Sequence, residues 1–268
     1  VTARDDIDSS RPHPARVYDY WLDGDNHYEA DAAAAEQVVR VWPGVVLGAQ
    51  LNRAFMHRAT RWLVREAGVR QFLDIGAGIP TEPNLHQVAQ AIAPETRVLY
   101  ADNDPIVLHH AQGLLSGTPE GRTAYVHADF TDPDGILNSP ELRETLDLQQ
   151  PVALSLIALL HFITDERGAY EIVGKLMNAL PSGSYLVVSH ATADFDPDLL
   201  TRVAEAYQSS VAEGQIRSSS EVSRFFDGLE LLDPGVVVAH RWRPEGGEPQ
   251  PDITDAEFPV YGGVARKP

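Results

Sequence analysis

Cysteine is missing from all 268 residues. That excludes disulfides, thiolate metal sites and a cysteine nucleophile. Long apolar runs are missing as well: no stretch of about 18 apolar residues occurs, so no membrane-spanning helix is expected. The first residues, VTARDDIDSSRPHP, lack the apolar core of a secretory signal, and the expectation is a cytoplasmic protein. Positive charge is scarce. Only 21 Lys and Arg stand against 39 Asp and Glu, for a formal charge of −18. Such a surface repels phosphate backbones and anionic membranes, so neither nucleic acid nor a membrane is expected as a partner. The Gly-x-Ser-x-Gly nucleophile elbow and the Walker phosphate loop are absent, which leaves hydrolase and nucleoside-triphosphatase readings without support.

What is present is an alternating pattern. Apolar residues make up 43% of the chain, enough for a full core. Residues 1–14 are polar and proline-containing and read as a tail. Helices are expected over 29–42 and 49–67, the second with Leu51, Phe55, Trp62 and Leu63 on one face and Gly68 as a cap. From residue 70, short apolar runs alternate with helical stretches, the mark of a parallel sheet with crossover helices. Strands are expected at 71–75, 97–101, 124–127, 151–157 and 184–190, with helices near 83–92, 105–115, 139–146 and 166–179. After helices near 197–212 and 220–227, strands 235–242 and 258–265 would form an antiparallel terminal hairpin. The expected fold is α/β, a Rossmann-like, seven-stranded, mostly parallel sheet with an N-terminal helical lid. The lid and tail would span 1–65 and the sheet domain 66–268.

Three strand ends carry the chemistry. The first reads Phe72-Leu73-Asp74-Ile75-Gly76-Ala77-Gly78. Glycine lets the backbone turn tightly and approach a ligand with no Cβ in the way. Ligands of open α/β sheets sit beyond the carboxyl ends of the strands. A dinucleotide loop would carry a third glycine, yet position 81 is Thr and Pro80 and Pro83 interrupt it, so a nicotinamide cofactor is disfavoured. The second strand ends in Asp102-Asn103-Asp104-Pro105. Asp102 is placed to accept a ribose diol, while Asp104 caps the helix that Pro105 begins. The third ends in Asp129-Phe130, where the carboxylate would accept an adenine amino group and Phe130 would pack nearby; alone, such an Asp is an ordinary turn residue.

At these residues the chain resembles the class I S-adenosylmethionine-dependent methyltransferases. Within them it is most similar to an actinobacterial family long catalogued as a domain of unknown function. The resemblance runs from about residue 11 to 266. It rests on Ala15 to Asn26, Asn52-Arg53-Ala54-Phe55, Phe72 to Thr81, Tyr100 to Pro105, Ala128-Asp129-Phe130, Leu159-Leu160-His161-Phe162 and Tyr261-Gly262-Gly263-Val264. Trp21-Leu22-Asp23-Gly24 departs from the family's Leu-Leu-Gly-Gly. The resemblance implies S-adenosylmethionine as cofactor and a methyl acceptor that it leaves open. It implies that Asp74, Gly76 and Gly78 hold the methionine end and approach the ribose. Asp102 would take the ribose diol, with Asn103 beside the adenine and Asp129 and Phe130 at the adenine edge. Ile157 and Ala158 would offer backbone to the amino-acid moiety.

A base helps when the acceptor is a hydroxyl or a protonated amine. His161 and His190 follow strands four and five and are the candidates for that role, against a plain structural one. Segment 15–28 is read as a lid that contacts cofactor through Tyr18, Tyr20 and Asn26; the alternative is an ordinary packed helix. Arg53 would pair with a carboxylate of cofactor or substrate, or form a surface ion pair. His109 and His110 are adjacent on a helix and cannot face one ligand. His13, His27 and His57 show no ligand spacing, so no metal is expected. A small-molecule acceptor fits the charge. Two other readings stay open: a regulator that binds the cofactor without catalysis, and a Rossmann NAD-dependent oxidoreductase.

Overall fold

A computed structural model describes residues 8–107, 117–208, 214–244 and 252–268. The N-terminal part is three helices: α1 (Pro14–Trp21), α2 (Glu29–Val41) and α3 (Val45–Arg65). The sheet region follows as β1 (Gln71–Ile75), α4 (Leu85–Gln90), β2 (Arg97–Asp102), β3 (Arg122–His127), α5 (Pro133–Leu137), α6 (Pro140–Thr145), β4 (Ala153–Ile157), α7 (Ala169–Ala179), β5 (Tyr185–Ala191), α8 (Pro197–Gln208), α9 (Ser219–Ser223), β6 (Glu230–Leu231), β7 (Val237–Val238) and β8 (Val260–Arg266). Several of these helices announce themselves locally. Asp132 and Ser139 accept the N–H of Gly135 and Leu142 ahead of α5 and α6, each with proline in the first turn. Ser218 and Glu221 form a capping box at α9. The helix expected over 105–115 is described only as far as Val107, so His109 and His110 lie outside the described residues.

The sheet runs β3-β2-β1-β4-β5-β8-β6, with β7 paired to β8 off that path. Strands β1 to β5 are parallel and β8 is antiparallel to β5. β1 is buried along its whole length, as a parallel strand with both faces covered must be. Alternate residues feed two cores. Leu73, Leu99, Leu154 and Leu186 face Ile172, Val173 and Leu176 of α7. Phe72, Val98 and Val187 face Phe55, Met56 and Leu63 of α3, together with Trp242. α3 therefore shares one core with the sheet, while α1 and α2 close a separate cluster around Val17, Trp21, Ala35 and Val38. Among the described residues no helix is long and apolar enough to cross a membrane.

One local expectation is corrected. The run 235–242 is not a full strand. Only Val237–Val238 pair with β8, and Ala239–Arg241 form a 3-10 turn. The physical reason is Arg58 on α3. Its guanidinium takes the carbonyls of Ala239 at 2.8 Å and Trp242 at 3.1 Å, which removes them from the ladder. β7 and β8 do pair antiparallel, as expected of the terminal hairpin, and β8 lies between β5 and the short edge strand β6. Segment 15–28 was expected to be a lid or an ordinary packed helix. It begins as α1, with Arg16 and Asp19 buried beside Val17 and Trp21, because each of those charges finds a partner.

Candidate functional site

Strand order reverses between β1 and β4, and a crevice opens beyond their carboxyl ends. α1, α3 and α8 arch over it, leaving a cavity of about 490 Å³. That volume is within the usual range for small-molecule sites.

The strand tips form its floor. After β1 the chain turns through Gly76 at φ 73° and Gly78 at φ 66°. Both angles lie in the left-handed region that favours glycine. A Cβ on Gly76 would press on Leu159 at 2.8 Å, whereas one on Gly78 would meet nothing within 4 Å and project into open space. Asp102, buried at the end of β2, holds this turn: its Oδ2 accepts the Gly78 N–H at 2.8 Å, and its Oδ1 accepts the Asp104 N–H at 3.0 Å. Each of its oxygens keeps a lone pair for a ligand. Asp104 caps the next helix by accepting the Ile106 N–H at 3.0 Å. Its other oxygen lies 3.0 Å from His13 Nδ1 and 3.2 Å from Arg16 Nε, which ties α1 to the sheet. Burial works against the Asp104 charge, but His13 and Arg16 prevail and hold its carboxyl below the ordinary range.

Asp129 forms the ordinary turn and also faces the cavity. Its Oδ1 accepts from the Thr131 N–H and hydroxyl at 2.7 Å, a turn, and its Oδ2 accepts from Asn103 Nδ2 at 3.3 Å. Asp129, Phe130 and Asn103 all line the cavity. Asp74 lies beneath the glycine turn. Burial pushes its carboxyl up to about 7, opposed by the Ser155 hydroxyl and the Arg53 guanidinium and reinforced by Asp102.

The rear wall comes from β4 and β5. Ile157 leads to Ala158 at φ 53°, an unusual angle for a residue with a side chain, held by the Ala158 N–H donating to Ser189 Oγ at 2.9 Å. His161 follows in the 3-10 turn Leu160–Phe162 and lines the cavity. Its Nδ1 is buried without a partner, and burial, with Arg217 adding to it, pushes the imidazole down to about 4. His190 stands 5.6 Å away, ring centre to ring centre. Its Nδ1 donates to the Ala191 carbonyl at 2.7 Å, and its Nε2 accepts from Arg217 at 2.9 Å. Both ring nitrogens of His190 are thus occupied.

Arg217 went unnoticed in the sequence. It is fully buried and also donates to the carbonyls of Leu160 and Ile163 and to Asp165, so it fastens the loop after β4 to the end of β5. Its guanidinium sits 5.4 Å from the Tyr170 ring and 5.2 Å from the Phe225 ring. No local motif marks it, because the loop and strand it joins lie 27 to 57 residues away.

The roof contributes Tyr18, Asn52 and Arg53. Tyr18 donates to the Ala49 carbonyl at 3.1 Å and accepts from Asn52 Nδ2 at 3.1 Å. Arg53 donates to the carbonyls of Thr81 and Pro83, bracing the loop after Gly78. Tyr20 and Asn26 do not reach the cavity, which corrects the reading of them as ligand contacts. The Tyr20 ring packs on the α1–α2 cluster and against His27 at 5.1 Å, with its hydroxyl toward Glu36 at 3.5 Å. Asn26 gives its backbone N–H to buried Asp19 at 2.9 Å, where His27 also binds. The departure at Asp23 falls at φ 60°, a left-handed position that suits the family's glycine and that Asp tolerates better than most residues.

A reversed strand order, acidic strand tips and an open glycine turn under a helical roof are together the architecture of a Rossmann-like, S-adenosylmethionine-dependent methyltransferase. The chain matches the S-adenosyl methyltransferase family over residues 1–268, and it belongs to that family. It is similar to a DUF574 family protein from Streptomyces avermitilis MA-4680, at 52% identity and a TM-score of 0.94, covering 97% of this chain and 99% of that one. A candidate methyltransferase from Thermobifida fusca YX is 37% identical with a TM-score of 0.89, covering 96% of each chain. PigF, solved with SAH, shares the fold at 16% identity and a TM-score of 0.51, covering 96% of this chain and 66% of that one. No curated protein matches the chain.

The protein is therefore an S-adenosylmethionine-dependent methyltransferase. The residues present fit that cofactor. Asp102 and Asp129 offer acceptors for hydroxyl and amino groups, Gly78 leaves room where a ligand must approach the backbone, and Asp74 can balance a cationic group.

Proposed function

We propose that the chain transfers a methyl group to a small-molecule acceptor bound in the same cavity, and that it does so in the cytoplasm. The observation that carries the reading is convergence: Asp74, Gly78, Asp102, Asp129, Ala158 and His161 come from the ends of four strands yet line one cavity. Asp102 binds the ribose hydroxyls. Asn103, Asp129 and Phe130 set the adenine edge. Asp74, the glycine turn and the Ile157–Ala158 backbone hold the amino-acid end, with Tyr18 and Arg53 closing the roof.

When bound, S-adenosylmethionine supplies an electrophilic methyl on a positively charged sulfur. The chain's part is alignment and exclusion of water. α1 to α3 and α8 exclude water from above. His161 is the proton acceptor for a hydroxyl acceptor group. It is neutral at pH 7, and no described group occupies its Nδ1. Its weak basicity means that it takes the proton as the acceptor's charge changes, not beforehand. His190 is a positioning residue, since both of its nitrogens are spent.

Calorimetry with S-adenosylhomocysteine tests the binding half of this reading. One site per chain is expected, lost in Asp102→Ala. The proton-acceptor role is checked by His161→Ala on any acceptor found: turnover should fall roughly 100-fold or more with unchanged S-adenosylhomocysteine affinity.

A further inference from the structure

The cavity is most polar on the side of the strand tips. Its opposite wall is Trp21, Val38 and Trp42 from the roof, Met56 on α3, and Leu200 and Val203 on α8. The charged side chains beside this wall are already engaged. Asp19 accepts from the Asn26 N–H at 2.9 Å and faces His27 at 3.3 Å. Arg16 is held by Asp104 and Asp31, and Arg53 by the carbonyls of Thr81 and Pro83. An anion lodged against this wall would leave water beside guanidinium groups that are already held, and a cation would have to compete with the Asn26 N–H and His27 for Asp19.

Among the described residues of this wall, one polar atom is buried without a partner. Asn52 is 3% exposed and shares a helix face with Gly48, Ala49 and Met56, all lining the cavity. The Tyr18 phenol has a single hydrogen, and it goes to the Ala49 carbonyl. Tyr18 can therefore only accept from Asn52, so the amide nitrogen must face it. Asn52 Oδ1 is thereby left buried with no donor. Native structures leave few such atoms unsatisfied, and one in a cavity wall is a place for a ligand's donor.

From this we infer that the methyl acceptor is a neutral, mainly apolar molecule that carries, apart from the group methylated, a hydroxyl that donates to Asn52 Oδ1. The inference rests on the small-molecule methyltransferase reading above and names the acceptor's chemical class. The apolar wall supplies affinity through buried area, and the hydroxyl fixes the orientation.

The test is calorimetry on the full chain saturated with S-adenosylhomocysteine, using 2-naphthol as probe beside its charged relatives 2-naphthoate and 2-naphthylmethylammonium. The expected result is that 2-naphthol binds at least tenfold tighter than either ion. Asn52→Leu should weaken 2-naphthol at least tenfold and leave S-adenosylhomocysteine within threefold. Ala204→Trp, at a half-buried lining position on α8, should block 2-naphthol and spare S-adenosylhomocysteine. An ion that binds as tightly as 2-naphthol, no binding of 2-naphthol, or an indifferent Ala204→Trp would overturn the inference. If Asn52→Leu weakens S-adenosylhomocysteine and spares 2-naphthol, Oδ1 belongs to the cofactor's ammonium and the hydroxyl assignment fails. If the wild type binds no S-adenosylhomocysteine, the methyltransferase reading itself fails, and that result is distinct from all the others.

Discussion

Arg217 donates to Nε2 of His190 across 2.9 Å, and both side chains are fully buried. The bond removes the lone pair that a catalytic imidazole would need and turns His190 into part of the scaffold behind His161. Replacing Arg217 by Met would leave the Leu160 and Ile163 carbonyls, His190 and one side of Asp165 without their donor. Loss of one member of a buried charged network costs about 3–5 kcal/mol. Urea unfolding of Arg217→Met should show a loss of that size; a loss below about 1 kcal/mol would contradict the network's importance.

The two site histidines should stay neutral across the physiological range. Burial pushes His161 down to about 4 and His190 well below the ordinary imidazole value. Their ring C–H proton resonances, assigned through His161→Gln and His190→Gln, are expected not to titrate between pH 5.5 and 8. A midpoint near 6.5 for His161 would show an open, solvated ring.

Asp74 carries a pH signature of opposite sense. Burial raises its folded-state carboxyl to about 7 from the ordinary 3.8. The native state then binds more protons than the unfolded chain between those values, so its stability falls as pH rises through that window. Ligand-free Asp74→Asn is expected to be more stable than wild type at pH 8, by ~2–4 kcal/mol, and similar to it near pH 4. The same substitution should weaken S-adenosylhomocysteine binding at pH 8. Equal stability at pH 8 would contradict the burial argument.

The two glycines of the first turn should separate stability from binding. Both adopt positive φ, so alanine costs about 1–2 kcal/mol at either. Gly76→Ala adds a clash with Leu159 at 2.8 Å and should destabilise more. Gly78→Ala projects its methyl into open cavity and should fold while weakening S-adenosylhomocysteine at least tenfold. Thermal denaturation and calorimetry on the two variants check the contrast.

Much of the floor of the site was legible because its signals are local. A strand, an acidic residue and a turn lie within seven positions at Phe72 to Gly78, and the same grammar recurs at Asp102 and Asp129. Their convergence then follows from parallel topology. What was not legible depends on partners far away in sequence. Arg217 reaches back 57 residues to Leu160, and Arg58 reaches forward 184 residues to Trp242, where it breaks the strand expected over 235–242. Tyr20 and Asn26 were misread because a polar segment was assumed to want a ligand. In the fold its polar groups satisfy one another around Asp19. The free oxygen of Asn52 emerges only once the single hydrogen of Tyr18 is accounted for.

The central claim is that strand tips from one sheet hold an adenosyl ligand, and a calorimetric titration of the full chain with S-adenosylhomocysteine tests it most directly. The account predicts saturable binding at one site per chain, abolished by Asp102→Ala in a variant that still unfolds cooperatively. Folded wild-type protein that gives no binding heat at two well-separated temperatures, or an Asp102→Ala variant that binds as tightly as wild type, would contradict it.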